Sequence, residues 1–316
     1  MENVQSVIYS LFSLCSLPVN LLAIVILSRG KCGLSTCTTR YLVSMATADL
    51  LVIITQVVLK YIIPYYFPWS FVDLIPVCSV HAVLIVAATD CSVWFTVTFS
   101  FERFVVICCQ KMKTEYCTEK TAAVVLTTAT ILLCLKNIPL YFTFEPLVLI
   151  DNIPWFCKTK LSSFVDPGWL GFHLFNKILT PLLPFVLILL LNALTVRHIV
   201  VTSRIRKTLI GQSKGENCSD PEAESRRRSV ILLFTISGSF ILLWLLTVIC
   251  FLYYNIRGLL SYTVSEFTVQ QVGFMLQNLN CCTNTFIYGV TQSKFRQQVM
   301  KALKYPMTPM IKLMNA

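Results

Sequence analysis

Two adjacent side chains of opposite charge, Glu102 and Arg103, stand near the end of an apolar run, IVAATDCSVWFTVTFSFERFVVICC, over residues 85–109. A charge pair in such surroundings is expensive to bury, so it marks a functional contact rather than ordinary packing. Two more acids need company. Asp49 lies in LVSMATADLLVII and Asp90 lies in the same run as the charge pair, both flanked by apolar residues. Buried carboxylates call for polar partners, a cavity or a cation. The chemistry open to this set is ion binding and the making and breaking of charge pairs. Catalysis lacks its constellations: His81, His173 and His198 are scattered with no His-x-x-x-His spacing, and no nucleophile stands beside a base. No enzyme is expected.

The elements that must position these residues are membrane helices. Of 316 residues, 56 % are apolar and 13 % charged, and the mean hydropathy is +0.71. Soluble domains carry about 25 % charge. Seven segments emerge, approximately Ile8 to Leu27, Thr39 to Ile63, Pro76 to Val106, Lys120 to Phe142, Gly168 to Ile199, Val230 to Tyr254 and Val264 to Val290. Each has the roughly 20 residues that cross about 30 Å of hydrocarbon, and helices satisfy their own backbones there. The predicted fold class is an all-α membrane protein, a seven-transmembrane helix bundle. Phe295, Val299 and Leu303 alternate with Lys294, Arg296 and Lys301, which adds a short amphipathic eighth helix against membrane lipids. One domain is expected over residues 1–305, with a short cytoplasmic tail at 306–316.

The formal charge of +11 would suggest nucleic acid in a soluble protein, but its placement fits a membrane instead. Arg29, Lys31 and Arg40 separate spans one and two, a basic stretch from Arg197 to Arg228 separates five and six, and Lys294, Arg296 and Lys301 follow span seven. The alternate connections are nearly neutral or slightly acidic. By the positive-inside rule the basic side is cytoplasmic, with the N-terminus outside and the C-terminus inside. The first segment has its basic residues after it, the wrong order for a cleaved signal peptide, and reads as a retained span. The fourteen cysteines lie mostly within apolar segments or on the reducing side, so they are no disulfide scaffold. Cys78 and Cys157 are the exterior candidates.

Polar residues recur within the spans. Asn20 follows Pro18 in span one, and Asn280, Asn284 and Tyr288 repeat every four residues in span seven, where they could meet Asp49. Span five carries Pro181 and Pro184, which free carbonyls and kink a helix. Phe240 and Trp244 are aromatic neighbours one turn apart in span six. Asp90 is expected to bond a polar group on span four or five. The loop from Val201 to Ser229 is polar and reads as flexible.

With these residues in order, the chain resembles the rhodopsin-like, class A G-protein-coupled receptors over essentially its whole length. Glu102-Arg103-Phe104 matches that family's Asp/Glu-Arg-Tyr motif, and Cys78 lies 25 residues before the arginine. Asn20, Asp49, Trp244 and the run Asn284-Thr285-Phe286-Ile287-Tyr288 match its helix markers. The ERF sequence with VICCQKMKTEYCTEKTA, and the ending of span seven, look most like the orphan-type receptors reported to respond to tryptophan and phenylalanine. Departures are equally specific. The span-four Trp is absent, Leu243-Trp244-Leu245-Leu246 replaces Cys-Trp-x-Pro, Thr285 replaces a proline, and Asn192 stands for a tyrosine. Arg226 occupies a region where some members place an acid, so repulsion from Arg103 and basal activity are expected.

The resemblance implies a Cys78–Cys157 disulfide and a sodium ion, the one cofactor-like group expected, at Asp49, Ser92, Asn280 and Asn284. It implies a ligand pocket of His81, Ile85, Val86 and Thr89 from span three, and His173, Asn176, Lys177 and Thr180 from span five. Trp244, Thr247, Val248, Phe251 and Tyr254 come from span six, and Gln270, Phe274, Gln277 and Asn278 from span seven. Ile85 stands where amine receptors carry Asp, and Asn278 where opsins carry the retinal lysine. The implied ligand is small, aromatic or amphipathic, and extracellular, either a small molecule or a short peptide. Lys177 could meet its carboxylate or snorkel outward. The implied switch is Val93, Pro184, Phe240 and Trp244, and G-protein coupling falls to Glu102, Arg103, Asn192, Arg226 and Tyr288. The partners are a heterotrimeric G protein, Gq/11 ahead of Gi/o, at the plasma membrane. Arrestin would depend on Ser213, Ser219, Ser225 and Ser229, since only Thr308 follows Tyr305 as a hydroxyl residue. The rival readings are a seven-helix transporter, which needs an ion path through Asp49 and Asp90, and a binding receptor that does not signal.

Overall fold

The structure, a computed structural model, describes residues 2–210, 221–257 and 263–304, with side chains at 7–205, 227–254 and 263–302. The tail at 306–316, most of the loop between spans five and six, and the side chains of Arg226 and Leu303 lie outside the described residues.

Span one is Glu2–Ser28. Span two runs from Thr36 to Tyr66 and span three from Ile75 to Cys108, while span four covers Glu119 to Thr143. Span five comes in three pieces, Pro167–Lys177, Ile178–Leu182 and Leu183–Ile210. Span six is Pro221–Arg257, span seven Val264–Thr291, and a short terminal helix Ser293–Lys304 follows. The bundle is the seven-helix membrane architecture expected, although only six of the described helices are apolar enough to cross by composition. Span seven has the length but carries Gln270, Gln271, Gln277, Asn278, Asn280 and Asn284, which turn inward where lipid cannot reach most of them.

Two prolines reshape their helices. Pro64 has no N–H and in a regular helix its ring would clash with the carbonyl of Lys60, and the preceding stretch Ile53–Ile62 widens to π-helical winding, closed by the Ile63 N–H bonding Val58 O. Pro181 acts on span five, where Thr180 leaves helical geometry at φ −148°, ψ 114°. A residue before proline is pushed into that extended region. The kink therefore sits at Thr180, and Pro184 falls in the first turn of the piece that follows, where a missing N–H is tolerated.

Span three is the central post, packing against spans two, four, five and six. The largest buried cluster gathers Leu27, Tyr41, Met45, Phe99, Leu232, Ile236 and Tyr288 toward the Arg103 end. At the opposite end the chain forms a hairpin not foreseen from the sequence, β1 (Phe144–Ile150) paired antiparallel with β2 (Ile153–Thr159). Its register sets Glu145 opposite Lys158, which form an ion pair at 3.2 Å. The Cys78–Cys157 disulfide ties β2 to the start of span three, fastening the hairpin over the bundle. The terminal helix lies against the other end through Phe295, whose ring meets Tyr288 edge-on at 6.0 Å.

Candidate functional site

Three polar stations lie along span three. Nearest the hairpin is a cavity of about 370 Å³ between spans two to seven. Ile85, Val86 and Thr89 line it from span three, and His173, Asn176, Lys177 and Thr180 from span five. Trp244, Thr247, Phe251 and Tyr254 line it from span six, and Gln270, Phe274 and Gln277 from span seven. Three expected residues stand elsewhere. His81 turns to span two and bonds Thr55 O at 2.7 Å, while Val248 and Asn278 are buried in the packing behind the wall. Sequence reasoning missed Gln56, Lys60, Asp90, Leu140, Pro181 and Cys250, which also line it.

Trp244, Phe251 and Phe274 give the cavity apolar surface, and Gln56, Asn176, Gln270 and Gln277 give it polar groups. Trp244 Nε1, Thr180 Oγ1 and Thr247 Oγ1 are buried with no hydrogen-bond partner among the described residues. Groups of that kind are paired in most folded proteins, and the described residues leave these three without a partner.

Behind the cavity wall lies an ion pair. Lys136 Nζ is 2.8 Å from Asp90 Oδ2, with side chains 12 % and 3 % exposed, so both charges are sequestered. Asn137 Nδ2 donates to the same oxygen at 2.7 Å, and Lys136 donates to Asn176 Oδ1 at 2.6 Å. This chain of contacts joins spans three, four and five. Asp90 thus finds the span-four partner its burial required, and Lys136 is the residue the sequence reading passed over.

The middle station is Asp49, fully buried. Ser92 Oγ donates to its Oδ1 at 2.5 Å and Asn284 Nδ2 to its Oδ2 at 2.9 Å. Asn280 Oδ1, also buried, has no partner among the described residues. Asn20 braces the neighbouring backbone by donating to Cys281 O at 2.9 Å and accepting from Thr285 Oγ1 at 3.3 Å. Thr285, where a proline was expected, therefore ties span seven to span one.

Between this station and the cavity, Phe240 stacks on Trp244 with ring centroids 5.4 Å apart, packed with Val93, Val97 and Ile188. Pro184 is buried on the same span as Ile188 but outside that cluster.

The last station is Arg103, which donates to both oxygens of Glu102, to Thr38 Oγ1 and, at 2.9 Å, to Ser229 Oγ. Its guanidinium lies 5.6 Å over the Phe99 ring. Ser229 is the contact from span six. Asn192 instead accepts from Ser237 Oγ at 3.1 Å, linking spans five and six away from Arg103. Tyr288 is buried with its hydroxyl unpartnered among the described residues. Cys117, in the turn before span four, has its thiol pushed up to about 11 by burial and by Glu102, so it stays neutral beside the pair.

Arg103 opens into a cavity of about 620 Å³ that also exposes Lys113, Arg228 and Lys294, with no acid lining it among the described residues. Gly33, at φ +70°, lies at its rim where a Cβ would run into the Lys294 side chain. The arrangement is a shaped cavity, a buried acid site and a restrained arginine over a basic opening, joined through one helix. Residues 7–288 match a family model described as 7 transmembrane receptor (rhodopsin family).

Proposed function

Because the chain belongs to the rhodopsin family of seven-transmembrane receptors, we propose that it is a plasma-membrane receptor for a small aromatic or amphipathic ligand. Occupancy of the hairpin-end cavity is transmitted to a heterotrimeric G protein. The basic flanks of the spans support an orientation with the hairpin end outside and the Arg103 end in the cytoplasm. The observation that carries this reading is Arg103. It is held by Glu102 and Thr38 on its own side and by Ser229 of span six, so an outward movement of span six breaks one contact and bares the arginine.

The ligand acts by favouring one of two populations. Contacts with Trp244 bias its stack on Phe240 and the packing against Val93 and Ile188, through which span six pivots on span three. The basic opening, with Lys113, Arg228 and Lys294 around Arg103, suits an acidic or carboxylate-terminated helix of the partner. Ser229 supplies the span-six contact to Arg103, and the expected repulsion from Arg226 falls on a side chain outside the described residues. Gq/11 is the favoured partner, with Gi/o second, on the resemblance to receptors for tryptophan and phenylalanine.

The Asp49 station fits sodium. Its carboxylate, the Ser92 hydroxyl and the amides of Asn280 and Asn284 are hard oxygen donors, and Asn280 Oδ1 is left unpartnered. A bound sodium ion would supply the positive charge that this carboxylate otherwise lacks. Asp49, Ser92, Asn280 and Asn284 would hold it.

A ligand screen across several G-protein readouts tests the reading, beginning with aromatic amino acids, short peptides and steroid-like acids. A hit that requires Trp244 and Phe251 supports it. Transport of a hit across sealed vesicles without nucleotide exchange would overturn it.

A further inference from the structure

Building on the receptor reading, we propose that the hairpin-end cavity selects organic anions. Its preferred ligand is an aromatic acid whose carboxylate is met by Lys60 and Lys177, and the amine of the same shape is disfavoured. Among the described residues, Lys60 from span two, Asp90 from span three and Lys177 from span five are the lysine and carboxylate side chains that line the cavity. The single acid among them is already engaged. Lys136 Nζ lies 2.8 Å from Asp90 Oδ2 and Asn137 Nδ2 donates to the same atom at 2.7 Å. Lys136 does not itself line the cavity, so its charge cancels that of Asp90 from behind the wall. Among the described residues a ligand therefore meets two lysines and no carboxylate free to answer them.

The neutral groups point the same way. Trp244 Nε1, Thr180 Oγ1 and Thr247 Oγ1 are the cavity's buried atoms without partners among the described residues, and each carries a proton to donate. An indole N–H can only donate, and donors suit an anion. Phe251 and Phe274 supply flat apolar surface for a ring. Lys60 lies 5.3 Å over the ring of its neighbour Tyr61, a contact that leaves the ammonium protons available.

The balance of forces follows. A carboxylate entering this site gains charge-assisted hydrogen bonds from the two lysines. An ammonium adds a third cation and competes with Lys136 for Asp90. The same argument ranks a deaminated acid at least equal to the zwitterionic amino acid, because the α-ammonium finds no unpaired acceptor of opposite charge.

Indole-3-propionate and tryptamine share ring and chain and differ in the sign of the end group. With purified full-length receptor in detergent, dissociation constants for both are measured directly, with no G protein present. The acid is expected to bind at least tenfold more tightly than the amine. Lys60→Gln and Lys177→Gln should each weaken the acid about tenfold and leave tryptamine unchanged or tighter. The wild-type comparison stands even if a lysine variant fails to fold, and Lys60→Arg and Lys177→Arg should retain binding of the acid. Equal or tighter binding of tryptamine, indifference of the acid to both lysines, or no binding of the acid at all would each overturn the proposal. Binding of the acid with no nucleotide exchange would instead sink the signalling reading and leave the anion site in place.

Discussion

Replacing Lys136 by glutamine tests whether the ion pair behind the cavity supports the bundle. The change keeps most of the side chain's length and removes its charge, leaving Asp90 with only Asn137 as donor. Removing one partner of a buried pair typically destabilises by about 3–5 kcal/mol, because the remaining charge is stranded. Asn137 retains its bond, which places the expected loss near the lower figure, about 3 kcal/mol. At about 2.1 cal/mol/K of unfolding entropy per residue, this 316-residue chain shifts by roughly 1.5 °C per kcal/mol, so thermal unfolding of the purified receptor should fall by about 4–5 °C. Asp90→Asn alone strands Lys136 and should fall similarly. The double variant Asp90→Asn/Lys136→Gln removes both charges and keeps polar contacts, so it should recover to within about 1 kcal/mol of wild type. The reasoning is refuted if Lys136→Gln melts within about 2 °C of wild type, or if the double variant is no more stable than either single one.

The other stations make shorter predictions. Ser229→Ala removes the span-six bond to Arg103, and hydrogen bonds to charged groups contribute about 1.5–3 kcal/mol, so ligand-free nucleotide exchange should rise roughly tenfold. An unchanged basal rate would show that this contact restrains nothing. Asp49→Asn should flatten the dependence of agonist affinity on sodium; a titration curve that keeps its wild-type slope argues that no ion binds there. Cys78→Ser, Cys157→Ser and the double variant should lose the same stability, about 2–5 kcal/mol, because each removes the same covalent tether of the hairpin to span three. Unequal losses would assign the cysteines separate roles.

The parts of the account that were legible in the sequence are those where burial alone demands an explanation. Glu102 and Arg103 stand out because adjacent opposite charges at the end of an apolar run need partners, and Asp49 points to span seven because Asn280, Asn284 and Tyr288 share one face. What stayed hidden depended on which way a helix is turned. Lys136 is the lone basic residue between Lys120 and Lys158, and its place near the end of an apolar segment reads as a snorkelling lysine. The signal was available, since Asp90 needed a partner and Lys136-Asn137 offered two donors side by side. Lys60 was passed over for the same reason, because it lies near the end of span two. The Ile53–Ile62 widening ahead of Pro64 alters the facing of that stretch, which a regular 3.6-residue repeat does not reveal. His81 shows the complement, since its ring turns to Thr55 O within that widened stretch rather than into the cavity. The hairpin was unreadable because its strands lack a simple alternation, and β1 turns its last four residues to the surface.

The central claim is that the state of the hairpin-end cavity is read out at Arg103. It is tested most directly by nucleotide exchange on a purified heterotrimer, Gq/11 first and then Gi/o, with the receptor reconstituted in lipid. An aromatic ligand from the screen should accelerate exchange at least tenfold, and the acceleration should vanish in Arg103→Ala while ligand affinity stays within about threefold. Ligand binding in the cavity with no acceleration on any heterotrimer, or acceleration that survives the loss of Arg103, would contradict it.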